Sequence, residues 1–254
     1  MSIKDILEVA ETAGQIILEN GGEVYRVEET ITIICKAYDV HVVESFVTPS
    51  VIMISLKDED GNPTTFIKRI KKRTIDLSKI HNVNELSRKI SNKSASLEEV
   101  KKELVKIKHG TNYKYFTQIL AGGVVAGCFT GLFGGKSLDF VISIIIGCII
   151  KVLLKKCDEL QLNDFFTNIL GGALASFIAL FSSLFINIES NVIIIGSIML
   201  LVPGLTITNG VRDTIAGDFY SGISRVMEAL FVALGIALGS VIIFSLFYYV
   251  KGVI

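Results

Sequence analysis

The chain has 254 residues, 25 Lys/Arg against 25 Asp/Glu, a hydrophobic fraction of 50% and a mean hydropathy of +0.57. A formal net charge of zero argues against a strongly basic nucleic-acid binder and against an acidic tail. Cys35, Cys128, Cys148 and Cys157 form no CxxC pair and have no histidine cluster beside them, so they are expected to be reduced packing residues, neither disulfides nor metal ligands.

Charge is unevenly distributed. Residues 1–112 carry 17 Lys/Arg and 17 Asp/Glu, whereas residues 113–254 carry eight of each. Two solvents are implied: a soluble α+β domain over 1–112, and a membrane all-α bundle of about five transmembrane helices over 113–254. The first twenty residues alternate apolar and charged positions and show no signal-peptide core, so the N-terminal domain is expected to be cytoplasmic.

In chain order, Ile3, Leu7, Ala10, Gly14 and Ile17 share one helical face, and Gly21-Gly22 ends that helix. Val24, Val27, Ile31, Ile34 and Tyr38 mark a second helix. The pattern then becomes β-branched and aromatic over His41–Thr48, Val51–Leu56 and Thr64–Ile70, the last two joined by a hairpin at Asp58–Pro63. Two amphipathic helices follow, one carrying Val83, Leu86 and Ile90, the other Leu97, Val100, Leu104 and Ile107. Ser96 with Glu99 predicts a capping box for the latter. The basic run Lys68–Arg73 reads as a solvated hairpin end or a surface for anionic lipid. His41, His81 and His109 lack metal spacing.

From Tyr115 the chain is built of apolar runs close to the roughly 20 residues that a bilayer core requires. The predicted spans are Tyr115–Gly134, Leu138–Leu154, Phe165–Asn187, Asn191–Thr208 and Val226–Val250. Lys151, Lys155, Lys156, Arg212 and Arg225 then face the side of the N-terminal domain, leaving Lys136 and Lys251 outside. A multi-pass protein of the cytoplasmic membrane is expected, and the positive-inside rule puts its N-terminus inside and its C-terminus outside. Small residues four apart predict close helix contacts: Gly123, Gly127, Gly131 and Gly135; Gly171, Ala175 and Ala179; Ala229, Ala233 and Ala237.

The fourth span concentrates the chemistry. After an apolar run it breaks at Pro203-Gly204 and continues through Thr206, Thr208, Asn209, Arg212, Asp213, Asp218, Arg225 and Glu228. A proline break frees backbone carbonyls at membrane depth, and discontinuous helices present dipoles to solutes in many transporters. The alternative reading is a kinked helix leading into a loop whose charges pair locally, such as Arg225 with Glu228.

Three stretches together resemble the threonine/serine exporter family: Gly22-Glu23-Val24-Tyr25-Arg26-Val27-Glu28; Val47-Thr48-Pro49-Ser50; and Val202-Pro203-Gly204 through Arg212-Asp213, Gly217-Asp218, Ser221-Gly222 and Arg225-Val226-Met227-Glu228. The resemblance implies an exporter of small metabolites. It also implies that the chain is similar to the larger subunit of the split form, which a small multi-pass membrane subunit completes; one such split system is associated with succinate. An oligomer in the lipid bilayer, with a small-molecule substrate and no nucleic acid, is then expected.

On this reading transport is proton-driven and needs no cofactor. Gly134-Gly135-Lys136-Ser137 mimics the tail of a nucleotide-binding loop but follows no strand. Arg212 or Arg225 would fork onto a substrate carboxylate, and Asp213, Asp218 or Glu228 would take an ammonium or the coupling proton. Pro203, Gly204, Thr206 and Asn209 would complete the substrate site. Glu23, Arg26 and Glu28 recur in the family pattern, and Arg26 is within helical reach of Glu23 and Glu29, so a structural network is expected there. Two rivals are a membrane-anchored sensor with a ligand-binding cytoplasmic domain, and a membrane hydrolase using Asp213 and Asp218, which would lack a nucleophile elbow, a zinc motif or a membrane histidine.

Overall fold

The computed structural model describes residues 2–58, 60–92, 95–110 and 113–252. It comprises two compact units, Met1–Thr111 with Leu205–Met227, and Asn112–Gly204 with Glu228–Ile254.

The first unit has the expected ααβββαα order: α1 (Ile3–Glu19), α2 (Val24–Ala37), β1 (Val43–Thr48), β2 (Val51–Lys57), β3 (Pro63–Arg69), α3 (Leu77–Ser91) and α4 (Leu97–Lys108). The three strands form an antiparallel sheet in sequence order. Strand alternation sends Ile52, Ile54 and Leu56 inward, where they join Ile16, Ile17, Leu18, Ile31 and Ile34 in one core. Cys35 lies in this core, and burial pushes its thiol up to about 12, as befits a packing residue. The outward row Phe46, Met53 and Ile67 is in register and exposed. Helix α4 has its capping box: Ser96 Oγ accepts from Glu99 N, and Glu99 accepts from Ser96 N at 2.9 Å. Of the hairpin connection, Glu59 lies outside the described residues, while Asn62 N donates to Asp58 Oδ1 at 2.6 Å.

The helices that follow are α5 (Tyr115–Leu132), α6 (Ser137–Glu159), α7 (Asp164–Ser182), α8 (Ser190–Ile198), α9 (Gly204–Ile215) and α10 (Phe219–Val250). Among the described residues, α5, α6, α7 and α10 are each long and apolar enough to cross a membrane. The fourth predicted span is not one helix. It is divided into α8 and α9 by residues 199–203, because Pro203 supplies no N–H to continue α8.

Within the second unit the α5 glycines meet α6. A Cβ on Gly123 would lie 2.6 Å from Cys148 Sγ, and one on Gly127 would lie 2.8 Å from Ile144. Ala175 and Ala179 are buried in the bundle core with Ile146, Ile150 and Ile193. On α10, however, Ala233 and Ala237 are exposed, and Gly235 and Gly239 supply the contact instead, against the Phe165 and Ile169 carbonyls of α7. Two stripes of small residues lie on that helix, and only the glycine stripe allows backbone to approach backbone. Asp139, fully buried at the start of α6, accepts from Lys136 N at 2.8 Å and Glu189 N at 3.0 Å, closing the loops at that end.

Candidate functional site

The first unit joins two turns that lie almost 200 residues apart in sequence. Helix α1 ends in a Schellman motif: Gly21 has φ +93°, its N–H reaches Leu18 O, and Gly22 N reaches Ile17 O at 2.9 Å. Helix α9 ends the same way, with Gly217 at φ +100°, Gly217 N on Thr214 O, and Asp218 N on Asp213 O at 2.8 Å. A side chain at either glycine would have to adopt a left-handed backbone. Between α9 and the start of α10, Gly210 faces Gly222; a Cβ on Gly222 would lie 2.8 Å from Gly210 O. The two helices therefore pack with almost nothing between their backbones.

Four polar contacts tie the α1–α2 turn to this helical hairpin. Asn209 Nδ2 donates to Gly21 O at 2.8 Å, and an Arg225 terminal nitrogen donates to Gly22 O at 2.8 Å. Arg212 Nη1 donates to Glu23 Oε1 at 2.6 Å. Val24 N donates to Asp213 Oδ1 at 3.1 Å, so Asp213 caps α2 and sets a negative charge against the positive end of its dipole. Asp213 Oδ2 is also 2.9 Å from Arg225 Nε, in an ion pair whose side chains are 0% and 4% exposed.

Glu23 sits at the N-cap of α2 without capping it, because its carboxylate turns to two arginines. Arg26 Nε lies 2.8 Å from Oε2, and Arg212 reaches Oε1. Burial pushes the Glu23 carboxyl upward, but the hydrogen bonds from Arg26 and Arg212 outweigh it and leave the group below its ordinary value. One turn on, Glu28 Oε1 accepts from Val47 N at 2.9 Å. Its carboxyl is raised, first by burial and then by the negative charges of Asp218 and Asp213.

The residues expected at the site separate into three groups. Asn209, Arg212, Asp213 and Arg225 all hold the α1–α2 turn. Arg225 Nε pairs with Asp213 Oδ2 at 2.9 Å. Thr206 and Asp218 are half-buried in the same unit. Pro203, Gly204 and Glu228 belong to the second unit's stretches of chain, and a Cβ on Gly204 would meet nothing within 4 Å.

Sequence reasoning missed that Gly21 and Gly22 present carbonyls to this hairpin and that Glu23 pairs with Arg212. The signal was there: two of the motif stretches that carry the resemblance are the ones that touch, and the third supplies Val47 N–H to Glu28. Helix α9 also inverts the usual amphipathic pattern. Asn209, Gly210 and Asp213 are buried, while Ile207, Val211 and Ile215, four apart, point out of the unit. An apolar stripe left outward on a helix whose polar face is covered suits an apolar surrounding.

The model of a family described as "Putative threonine/serine exporter" matches residues 8–247. This chain belongs to that family. Similar curated proteins include the "Probable threonine/serine exporter" of Mycobacterium tuberculosis, 23% identical over 94% of this chain and 46% of that protein. The "Threonine/serine exporter" of Corynebacterium glutamicum is 23% identical over 93% of this chain and 50% of its own length. The "Probable succinate transporter subunit YjjP" of Klebsiella aerogenes is 23% identical over 89% and 87% respectively. The chain thus spans about half the length of the first two relatives and most of the third. No solved structure matches it. Among the described residues no group of three or more His, Cys, Asp or Glu is placed to hold a metal.

Proposed function

We propose that this chain is a membrane subunit of a secondary exporter of small metabolites that bear a carboxylate, threonine and serine or a dicarboxylate such as succinate. Export is proton-driven and requires a small multi-pass partner subunit. The observation that carries the reading is the convergence of the family's scattered motif residues on one polar junction, where the N-terminal domain grips α9 and the start of α10. The relative named a transporter subunit, matched over most of its own length, supports the need for a partner.

Within the junction the charges take different roles. Asp213 and Arg225 neutralise each other out of solvent and fix the hairpin. Arg212, with 59% of its side chain exposed, directs one N–H at Glu23 and keeps others of its planar fork toward solvent, where a substrate carboxylate can be met. Asp218, half-buried in the turn between α9 and α10, offers a partner for a substrate ammonium.

The topology that goes with this reading has five crossings: α5, α6 and α7 cross in turn, and α8, the break and the first part of α9 recross. The contacts of Arg212 and Asp213 with residues 23 and 24 support the return. Helix α10 then leaves the C-terminus outside. Five crossings are made with four long helices and one broken segment.

The test is export of threonine from dipeptide-loaded cells, and of succinate from overproducing cells, with and without the co-expressed small partner. Export of either metabolite only when both chains are present is the expected result. Absence of flux with both, together with ligand binding by the chain, would instead favour a membrane-anchored sensor.

A further inference from the structure

We propose that Glu28 is a proton-binding site that sets whether the junction between α2 and the α9–α10 hairpin is closed. As the position of the exporter's coupling proton it rests on the function proposed above; as a property of the folded chain it does not.

The geometry begins with a charge count. The junction groups four carboxylates, Glu23, Glu28, Asp213 and Asp218, with three arginines, Arg26, Arg212 and Arg225. Glu23 is held by Arg26 and Arg212, and Asp213 by Arg225 and Val24 N. Among the described residues no cation is paired with Glu28 or Asp218. One negative charge is therefore left over in a half-buried setting, where the cheapest way to neutrality is a proton.

Glu28 is the better placed of the two to take it. The only hydrogen bond to its carboxyl group among the described residues is the one that it accepts from Val47 N, and a neutral carboxyl can accept that bond through its carbonyl oxygen. The charges facing it from the hairpin, Asp218 and Asp213, are both negative. Glu23 and Arg26 on its own helix are paired with each other, and Arg212 and Arg225 are directed at Glu23, Asp213 and the Gly22 carbonyl. Strand β1 offers a neutral N–H, and neither α1 nor α3 contributes a charge to its titration.

The consequence is mechanical. With Glu28 neutral, the four-against-three imbalance disappears and α2 lies against the hairpin without repulsion. With Glu28 ionised, its charge opposes Asp213 and Asp218, the residues that cap α2 and close the α9–α10 turn. The proton goes to bulk water when it leaves, and no other bond changes. Acid closes the junction and neutrality loosens it.

The experiment uses the full chain in lipid nanodiscs and the variant Glu28→Gln, which keeps an acceptor for Val47 N and removes the charge. Infrared difference spectra between acid and neutral pH should show a protonated carboxyl that persists above the range of exposed carboxylates. The band should be absent in Glu28→Gln and retained in Glu85→Gln, an exposed control on α3. Hydrogen exchange at Val24 and Val47, corrected for intrinsic rate, should rise about tenfold from acid to neutral pH in the wild type, the effect of one pKa unit. In Glu28→Gln it should stay slow at both. A band surviving in Glu28→Gln, or exchange independent of pH in the wild type, overturns the proposal. With the partner co-expressed, export by Glu28→Gln should lose its pH dependence; if the wild type exports and the variant keeps that dependence, the coupling role is overturned. A wild type that moves nothing defeats the exporter reading alone, since the spectra and the exchange still decide the proton site.

Discussion

Arg225 and Arg212 carry the same charge and differ in burial, which separates their expected effects. Removing Arg225, as in Arg225→Met, strands Asp213 in a dry site and should cost roughly 3 to 5 kcal/mol of stability. The double variant Arg225→Met with Asp213→Leu should recover much of that loss, read as thermal unfolding of the full chain in detergent. Arg212→Ala removes the exposed partner of a buried Glu23 that keeps its pairing with Arg26, and should cost only about 1 kcal/mol. If it abolishes export while unfolding unchanged, Arg212 acts on the substrate; normal export would remove it from the site. The two glutamates of α2 should behave oppositely with pH. Glu23, held low by its arginines, contributes stability above its unfolded value near 4.5 and loses it as pH falls through the folded value. Glu28, held high, contributes fully below that unfolded value and loses its contribution as pH rises through the folded one. Glu28→Gln should therefore be more stable than the wild type at neutral pH and equal to it in acid. A constant difference across pH would show that its charge is not the cause.

Among the elements, the α9–α10 hairpin depends on backbone proximity. Gly222→Ala places a methyl group against Thr214 and the Gly210 carbonyl, and overpacking of this kind should cost about 1 to 3 kcal/mol. Gly134→Ala makes an informative contrast. Gly134, unlike Gly222, has positive φ, and no atom stands within 4 Å of an added Cβ, so only backbone strain is felt. Loss of Val24 amide protection in Gly222→Ala but not in Gly134→Ala would tie hairpin spacing to the grip on α2. Helix periodicity was readable for α1 to α4 because each has a covered face and a wet one, and Ser96–Glu99 announced a terminus by a purely local pair of bonds. On α10 the period was misleading. When both faces of a helix are apolar, composition gives no reason to prefer the Ala229 stripe over Gly235 and Gly239.

At the scale of the whole molecule, the proposed topology turns on whether the broken segment crosses. A cytoplasm-active reporter should be active after Asp158 and after Gly217, and inactive after Glu189 and after Ile254. A signal at the C-terminus would mean that α8 and α9 do not cross. That outcome would conflict with the hydrogen bonds that place residues 209–225 beside residues 21–24.

Two soluble and membrane segments, the order of elements in the first unit and the polar break at Pro203-Gly204 are all written in the sequence, because each rests on local periodicity or on a local change of solvent. The pairing of Glu23 with Arg212, the capping of α2 by Asp213 and the isolation of Glu28 are not. Each depends on which of several similar charges approach one another across about 190 residues of chain, and charge type alone does not rank the partners. Burial does: the tertiary structure removed water from Asp213 and Arg225, left Arg212 wet, and gave Glu28 no cation among the described residues, turning seven interchangeable charges into distinct roles.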